Sequence, residues 1–281
     1  MTKIIADTTS CLNPEFACAH DIPVIPQVIN FGTESYLEGV NLDIATFMQR
    51  LCSSAELPKT SAPPPELFSR EFERLIPLGE PILCIMPSAE VSGTVRSATI
   101  AAQDFPGADI RVIDTRVIAS PLGSLVELAA GWAEAGIPVD QIVTNIESYA
   151  QHCRVYFMVD TLEYLARGGR IGGAAALLGS VLQIKPILRL NNGQVDQYER
   201  ERTHKRAVAR LKEIVQEQCP RSANGYLTVL YSGDKAESLA LAEELGRMVQ
   251  QSNVPVVHVP PAIVTHGGPG ILGVGFFTAI D

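Results

Sequence analysis

The sequence predicts an α/β protein of two α/β subdomains, a parallel-sheet N-terminal half and a mixed-sheet C-terminal half. In the first half, short apolar runs alternate with helical segments, an order typical of a parallel sheet with helices packed against it. From about residue 152 the pattern changes, and Asn192-Gly193 marks a hairpin turn between extended stretches. We therefore expect one domain, residues 1–281, with subdomains 1–152 and 153–281 and a cleft between them.

Apolar runs, caps and prolines define the elements of the N-terminal half. The expected strands are 3–6, 22–31, 81–86 and 110–114. One short helix begins at Asn13-Pro14, and the other expected helices are 43–52, 66–75, 95–104, 121–135 and 139–151. Prolines keep the stretch 22–31 near a sheet edge, and the proline run predicts irregular structure over 59–65.

The C-terminal half mixes strands, helices and tight turns. The expected strands are 155–159, 225–231, 256–259, a hairpin that begins near 185–188 and a last strand that runs to 280. The expected helices are 160–166, 174–179, 203–218 and 235–251, and the loop 266–270 is expected to be tight.

Composition excludes several classes of protein. With a net charge of −9 and no dominant basic cluster, the chain lacks the positive footprint of a nucleic-acid binder or of a protein that adheres to anionic membranes. Charged residues are 19% and apolar residues 46%, which allows for an internal apolar cavity. The six cysteines form no CxxC pair and no zinc spacing, and no signal peptide or apolar run of membrane length occurs. We expect a cytoplasmic protein with reduced thiols, no metal and no stable membrane insertion.

The turn Ser92-Gly93-Thr94 is the first candidate site. It lies between a strand that ends at Met86 and a helix that follows, so free backbone N–H groups and the positive end of the helix dipole meet there. Two hydroxyls and a glycine suit a bound carboxylate or phosphate. The alternative is that Ser92 or Thr94 only caps the helix.

Thr60-Ser61 is a second hydroxyl pair, on a rigid loop just before the helix 66–75. A helix cap or a plain loop is the alternative for this pair. The turns after Ala6, Met86 and Ile113 lie at the carboxyl edge of the predicted sheet, where ligands of parallel sheets bind.

Two other functions compete for the same turn. Ser92, Asp114 and His266 occur in the chain order of an α/β-hydrolase triad, and this order would make the protein an acyl ester hydrolase. The sequence around Ser92 lacks the flanking glycines of the nucleophile elbow. A phosphate or nucleotide binder is the third hypothesis, although the glycine-rich stretch 168–173 follows a helix and matches no nucleotide motif.

Motifs along the whole chain resemble those of the DegV family. The residues that carry the resemblance, from about residue 3 to residue 280, are Thr60-Ser61-Ala62-Pro63, Val91-Ser92-Gly93-Thr94, Val112-Ile113-Asp114-Thr115, the long stretch 159–171 (VDTLEYLARGGRI), Ile184-Lys185-Pro186-Ile187-Leu188 and His266-Gly267-Gly268-Pro269-Gly270. The sequence departs mildly from the family pattern at Thr8, Glu38 and Gly172.

The resemblance implies a carrier that binds a long-chain fatty acid such as palmitate, with no cofactor and no enzymatic activity of its own. It implies a buried tunnel for the acyl chain and a carboxylate held by Thr60 with Ser61 and by Ser92 with Gly93 and Thr94. The subdomain 1–152 would then supply the carboxylate-binding loops, and 153–281 the tunnel and the face for a partner. Some family members present the acyl group to a separate fatty acid kinase, and Arg202 and His266 match an Arg and a His of the family's C-terminal half.

Overall fold

The computed structural model describes residues 1–54, 56–178 and 184–280. The chain divides into two compact units. One is formed by Met1–Ile118 and Leu122–Gln151, and the other by Ala119–Pro121 and His152–Asp281. The separate roles expected of subdomains 1–152 and 153–281 stay a prediction.

A parallel sheet organises the first unit. The strands of this unit are β1 (Lys3–Asp7), β2 (Val24–Ile25), β3 (Val28–Phe31), β4 (Glu34–Leu37), β5 (Lys59–Ser61), β6 (Ile82–Met86) and β7 (Ile110–Asp114). The parallel sheet has the order β2-β1-β6-β7, and its neighbouring strands all run in the same direction. A smaller antiparallel sheet has the order β4-β3-β5.

The helices up to residue 152 follow the predicted pattern closely. They are α1 (Pro14–Ala19), α2 (Ile44–Ser53), α3 (Pro65–Leu75), α4 (Thr94–Gln103), α5 (Ser120–Glu134) and α6 (Val139–His152). Two of them begin at side-chain caps, because Asn13 accepts from the Glu15 N–H and Asp43 accepts from the Thr46 N–H.

Strand β6 lies at the centre of the first core and is buried along its whole length. Phe68 and Phe72 of α3 and Ala98 and Ala101 of α4 are fully buried in the same hydrophobic cluster. Alanines on the buried face of α4 let this helix pack close to the sheet. The first residues of α4 are thereby held near the carboxyl end of β6.

Two predictions for the first unit need correction. The stretch 22–31 divides into β2, at the edge of the parallel sheet, and β3, which is the central strand of the antiparallel sheet. The stretch 59–65 is not wholly irregular, because Lys59–Ser61 forms β5 and pairs with β3. Proline pushes preceding residues to extended conformations, and an extended segment beside an unpaired strand edge can join the sheet.

The second unit is built on a mixed sheet of order β10-β9-β8-β13-β11-β12. Its strands are β8 (Cys153–Met158), β9 (Lys185–Asn191), β10 (Gln194–Glu201), β11 (Thr228–Tyr231), β12 (Val256–His258) and β13 (Leu272–Phe277). Its helices are α7 (Glu163–Arg167), α8 (His204–Gln218), α9 (Lys235–Val249) and α10 (Pro261–Gly267). Pairing is antiparallel except between β11 and β12, so the predicted fold class is confirmed.

Helices α8 and α9 cover the core of this unit with buried leucines. Leu211 of α8 and Leu241 and Leu245 of α9 pack in one cluster with Phe276 of β13. The predicted hairpin joins β9 to β10, and Asn192 and Gly193 have φ angles of 49° and 83°, as its turn requires.

Two predictions for the second unit are corrected. His266 and Gly267 belong to the last turn of α10, and the tight turn begins only at Gly268, whose φ is 83°. The apolar helix predicted over 174–179 is instead a 3-10 segment over Gly172–Leu177, and Gly179 lies outside the described residues. Glycine and alanine supply little side-chain burial to hold a full α-helix there.

Candidate ligand-binding site

The site begins at the topological switch point of the parallel sheet. From the end of β1 the chain leads to β2 on one side, and from the end of β6 it leads to β7 on the other. In parallel α/β sheets this reversal opens a crevice at the carboxyl ends of the two strands, where ligands bind. Asp7 ends β1, and the segment that leads to Ser92 follows the end of β6.

Ser92, Gly93 and Thr94 form the turn that enters α4. The Ser92 hydroxyl oxygen lies 2.7 Å from the Thr94 hydroxyl oxygen and accepts from the Thr94 N–H at 3.3 Å. Ser92 is half-buried and Gly93 is exposed, whereas Thr94 is completely buried. Gly93 is the N-cap of α4 and supplies no side-chain cap, so backbone N–H groups of the first helical turn remain for an anion.

Buried polar side chains lie beneath this turn. Asp7 Oδ2 accepts from Gln27 Nε2 at 2.6 Å, and the same nitrogen donates to the Thr94 hydroxyl at 2.8 Å. The Thr9 hydroxyl donates to Asp7 Oδ1 at 2.7 Å. Asp7 and Thr94 are fully buried and Gln27 is 3% exposed, so these bonds are shielded from water.

Burial raises the pKa of Asp7 to about 6. Hydrogen bonds from Thr9 and Gln27 act in the opposite direction, because they stabilise the ionised carboxylate. A carboxyl group with this pKa is mostly ionised at neutral pH. Asp7 is therefore a buried charge that is held by its hydrogen-bond donors.

The second hydroxyl-bearing segment lies against the first. A Cβ atom placed on Gly93 would be 3.1 Å from the Cβ of Ala62, so the backbones at these two residues approach closely. Ala62 directly follows β5, which carries Thr60 and Ser61. The structure thus brings the Thr60-Ser61 segment and the Ser92-Gly93-Thr94 turn together within the first unit.

Strand geometry separates Thr60 from Ser61. Successive side chains of a strand point to opposite faces, and here Thr60 is half-buried whereas Ser61 is exposed. The Ser61 hydroxyl accepts from Asn30 Nδ2 at 3.0 Å, on the neighbouring strand β3. Of the two hydroxyls, that of Thr60 is the better placed for a ligand on the buried side.

Sequence reasoning missed Asp7 and Gln27 as members of the site. Asp7 carries a usable signal, since it is a carboxylate at the end of a buried strand of the predicted parallel sheet. Gln27 carries none, because its bond to Thr94 joins residues that are 67 positions apart.

The remaining site candidates, Arg202 and His266, belong to the second unit. Arg202 is exposed in the bend between β10 and α8. His266 is half-buried, and its ring packs against the backbone of Gly168, where an added Cβ would be 2.1 Å from Nδ1. Burial, together with the positive charge of Arg170, lowers the pKa of His266 to about 4. The imidazole is therefore neutral near pH 7.

The hydroxyl of Ser232 holds the loop that follows His266 through several hydrogen bonds. The Ser232 hydroxyl donates to the Gly268 carbonyl at 2.9 Å and accepts from the N–H groups of Gly270 and Ile271. Gly270 has a φ of 116°, and a Cβ there would be 2.1 Å from a carboxylate oxygen of Asp160. This crowding explains why a glycine is needed at position 270.

The residues of the hydrolase alternative have other partners. Asp114 Oδ1 accepts from the backbone N–H groups of Ala89 and Arg116. Ser92 contacts the hydroxyl of Thr94, which is not a base able to take its proton. Within the described residues, no group of three or more His, Cys, Asp or Glu side chains could hold a metal ion. Nor does any helix in that part of the chain have the length and apolar character needed to cross a membrane.

In fold and site geometry, the chain is an α/β protein of the kind that binds ligands at the carboxyl edge of a parallel sheet. The family model described as "Uncharacterised protein, DegV family" matches residues 1–279. A DegV domain-containing protein of Streptomyces coelicolor is 38% identical over 273 residues, which are 96% of this chain and 96% of that protein. The chain belongs to the DegV family, as its motifs predicted.

Solved structures of relatives share the whole fold. A DegV family protein from Thermus thermophilus, described as fatty acid binding, is 30% identical with a TM-score of 0.85, and the match covers 99% of both chains. DegV from Bacillus subtilis, described as a fatty acid binding protein, is 29% identical with a TM-score of 0.90, again over 99% of both chains. The ligand class of these relatives is therefore fatty acid.

Proposed function

We propose that this chain binds a long-chain fatty acid, such as palmitate, and holds its carboxylate at the turn formed by Ser92, Gly93 and Thr94. Thr60 adds a hydroxyl from β5. The close approach of Gly93 to Ala62 carries the proposal, because it brings the two hydroxyl-bearing segments together at the switch point of the sheet. The relatives described as fatty acid binding support the choice of ligand.

Hydroxyls and backbone N–H groups are sufficient to bind the carboxylate of a fatty acid, because the affinity of such a ligand comes mainly from its acyl chain. Burial of one methylene contributes roughly 0.8 kcal/mol, so an acyl chain of about 15 methylenes contributes on the order of 12 kcal/mol. Loss of translational and rotational freedom opposes this by roughly 4–15 kcal/mol. The head group then needs only enough donors to avoid a buried unpaired charge.

In this proposal the protein is a carrier and not a free-standing enzyme. The acyl chain of the ligand would lie in a buried tunnel, and a separate fatty acid kinase would act on its carboxylate. Arg202 and His266 are assigned to this partner step. The absence of elbow glycines around Ser92 and the Thr94 hydroxyl beside it support a carrier over an ester hydrolase.

Native mass spectrometry of the protein tests this function directly. Stripped of lipid and reloaded with palmitate, the wild type should retain close to one fatty acid per chain, and Ser92→Ala should retain much less. Thr99→Ala is the matched control, because it removes a hydroxyl from α4 that donates along its own helix, to the Val95 carbonyl. A wild type that takes up no fatty acid removes the proposal, and stoichiometric labelling of Ser92 by a fluorophosphonate would favour the hydrolase.

A further inference from the structure

We propose that Asp7 is a positioning residue which, through Gln27 and Thr94, turns the hydroxyl hydrogen of Ser92 toward a bound carboxylate. The inference rests on the proposed function, since it takes Ser92 as a donor to the fatty-acid head group. Asp7 itself is fully buried and lies behind Gln27 and Thr94. Asp7 therefore acts on the ligand indirectly, by fixing which of the intervening groups donate hydrogen bonds and which accept them.

The carboxylate of Asp7 determines how the Gln27 amide is oriented. An ionised carboxylate only accepts hydrogen bonds, so the group 2.6 Å from Asp7 Oδ2 must be the Gln27 nitrogen and not its oxygen. That nitrogen has a second hydrogen, and the Thr94 hydroxyl oxygen lies 2.8 Å away to accept it. Gln27 thus donates to both neighbours at once.

Thr94 passes this direction on to Ser92. Its single hydrogen has two acceptors in reach, Ser92 Oγ at 2.7 Å and Asp7 Oδ2 at 3.5 Å. Hydroxyl hydrogen bonds are normally between about 2.5 and 3.0 Å, so Thr94 donates to Ser92. Ser92 then accepts from Thr94 and keeps its own hydrogen for the ligand. Gln27 donates to Thr94, Thr94 to Ser92, and Ser92 to the carboxylate of the ligand. Consecutive hydrogen bonds of this kind strengthen one another.

Replacing Asp7 by asparagine should reverse the direction of the hydrogen bonds that run from Gln27 through Thr94 to Ser92. The Thr9 hydroxyl and the Thr9 backbone N–H both donate to the Asp7 side chain, and the backbone donor cannot rotate away. The amide oxygen of the asparagine must therefore face Thr9, and its NH2 group must face Gln27. Gln27 then turns its oxygen to both neighbours, Thr94 donates to Gln27, and Ser92 donates to Thr94. No hydrogen of Ser92 is left for the ligand.

A double-mutant cycle on palmitate affinity tests this role. Asp7→Asn should weaken binding about tenfold to a hundredfold, the usual range for a lost hydrogen bond to a charge. In the Ser92→Ala background the same change should have no further effect, because Asp7 acts only through the Ser92 hydroxyl. Thr94→Val should match Asp7→Asn, and Thr94→Ser should retain the wild-type affinity.

Ser10→Ala is the matched control for damage to the buried turn. The Ser10 hydroxyl donates to the backbone carbonyl of Asp7 at 2.6 Å and takes no part in the chain of donors, so its loss should leave palmitate affinity unchanged. If Asp7→Asn weakens palmitate binding equally in the Ser92→Ala background, or does not weaken it at all, the role of Asp7 is overturned. The proposed function stands in that case. A wild type that binds no palmitate overturns the proposed function and the inference together.

Discussion

At Asp7, protein stability and ligand binding place opposite demands on one residue. The carboxylate is fully buried, and burial raises its pKa to about 6, so ionisation at neutral pH weakens the folded state. The same ionised form keeps the Gln27 amide oriented toward Thr94. Proteins commonly retain such costly groups where function requires them.

The cost of ionising Asp7 predicts how stability depends on pH. The folded pKa of about 6 lies above the ordinary aspartate pKa of 3.8, so the folded state holds this proton more tightly than the unfolded state. The free energy of unfolding therefore falls as pH rises from about 4 to about 6, and stays reduced above that. For Asp7→Asn this fall is absent, so the variant should gain about 3 kcal/mol relative to the wild type across that window.

Urea unfolding of both proteins from pH 4 to pH 7.5 measures this difference. Any constant effect of lost hydrogen bonds shifts the whole curve and leaves its slope intact. Ser10→Ala, which has no titrating group, should differ from the wild type by the same amount at every pH. A constant offset between Asp7→Asn and the wild type would contradict the elevated pKa of Asp7.

At the scale of elements, strand β5 determines which hydroxyl of the Thr60-Ser61 pair can serve the site. Lys59–Ser61 pairs antiparallel with β3, and this pairing turns consecutive side chains to opposite faces. Thr60 is half-buried, and Ser61 is exposed with its hydroxyl bonded to Asn30. The resemblance to the DegV family had implied that both hydroxyls hold the carboxylate.

Alternation along β5 predicts different results for two neighbouring substitutions. Thr60→Ala should weaken palmitate binding by roughly 1–3 kcal/mol, because the carboxylate loses a donor. Ser61→Ala removes a hydroxyl of the same kind from the exposed face and should change affinity little. Isothermal titration of both variants with palmitate makes the comparison, and equal losses would place the two hydroxyls in the site together.

At the scale of the whole molecule, the proposed functions are divided between the two compact units. The residues proposed to bind the carboxylate and the buried Asp7 belong to the first unit, and Arg202 and His266 belong to the second. Near neutral pH, Arg202 contributes a positive charge on an exposed surface, whereas His266 is neutral because its pKa is about 4. His266 can therefore act by hydrogen bonding but not as a charge.

This division predicts that carrier and partner functions can be separated by mutation. Arg202→Ala and His266→Ala should reduce fatty-acid affinity little and should strongly reduce acyl-phosphate formation with the cognate fatty acid kinase. Charge that develops during phosphoryl transfer needs a positive or hydrogen-bonding neighbour, whereas burial of the acyl tail does not. Palmitate affinity, acyl-phosphate formation and the melting temperature are measured on the same preparation of each variant. If affinity and phosphorylation fall in proportion, or the variants melt much earlier, both residues are structural.

The sequence by itself determined the features that depend on neighbours along the chain. Alternating strands and helices predicted the parallel sheet, Asn192-Gly193 predicted a hairpin, and the Ser92 turn was placed correctly before α4. These elements follow from local conformational preference and the spacing of apolar residues.

Only the tertiary structure decided which distant residues meet. It made Lys59–Ser61 a strand, placed His266 at the end of a helix, and brought Ala62 against Gly93. It also joined Asp7, Gln27 and Thr94 under the site. The physical reason is that strand pairing and buried hydrogen bonds reward contacts between residues far apart in the chain, and local pattern carries no record of such pairs.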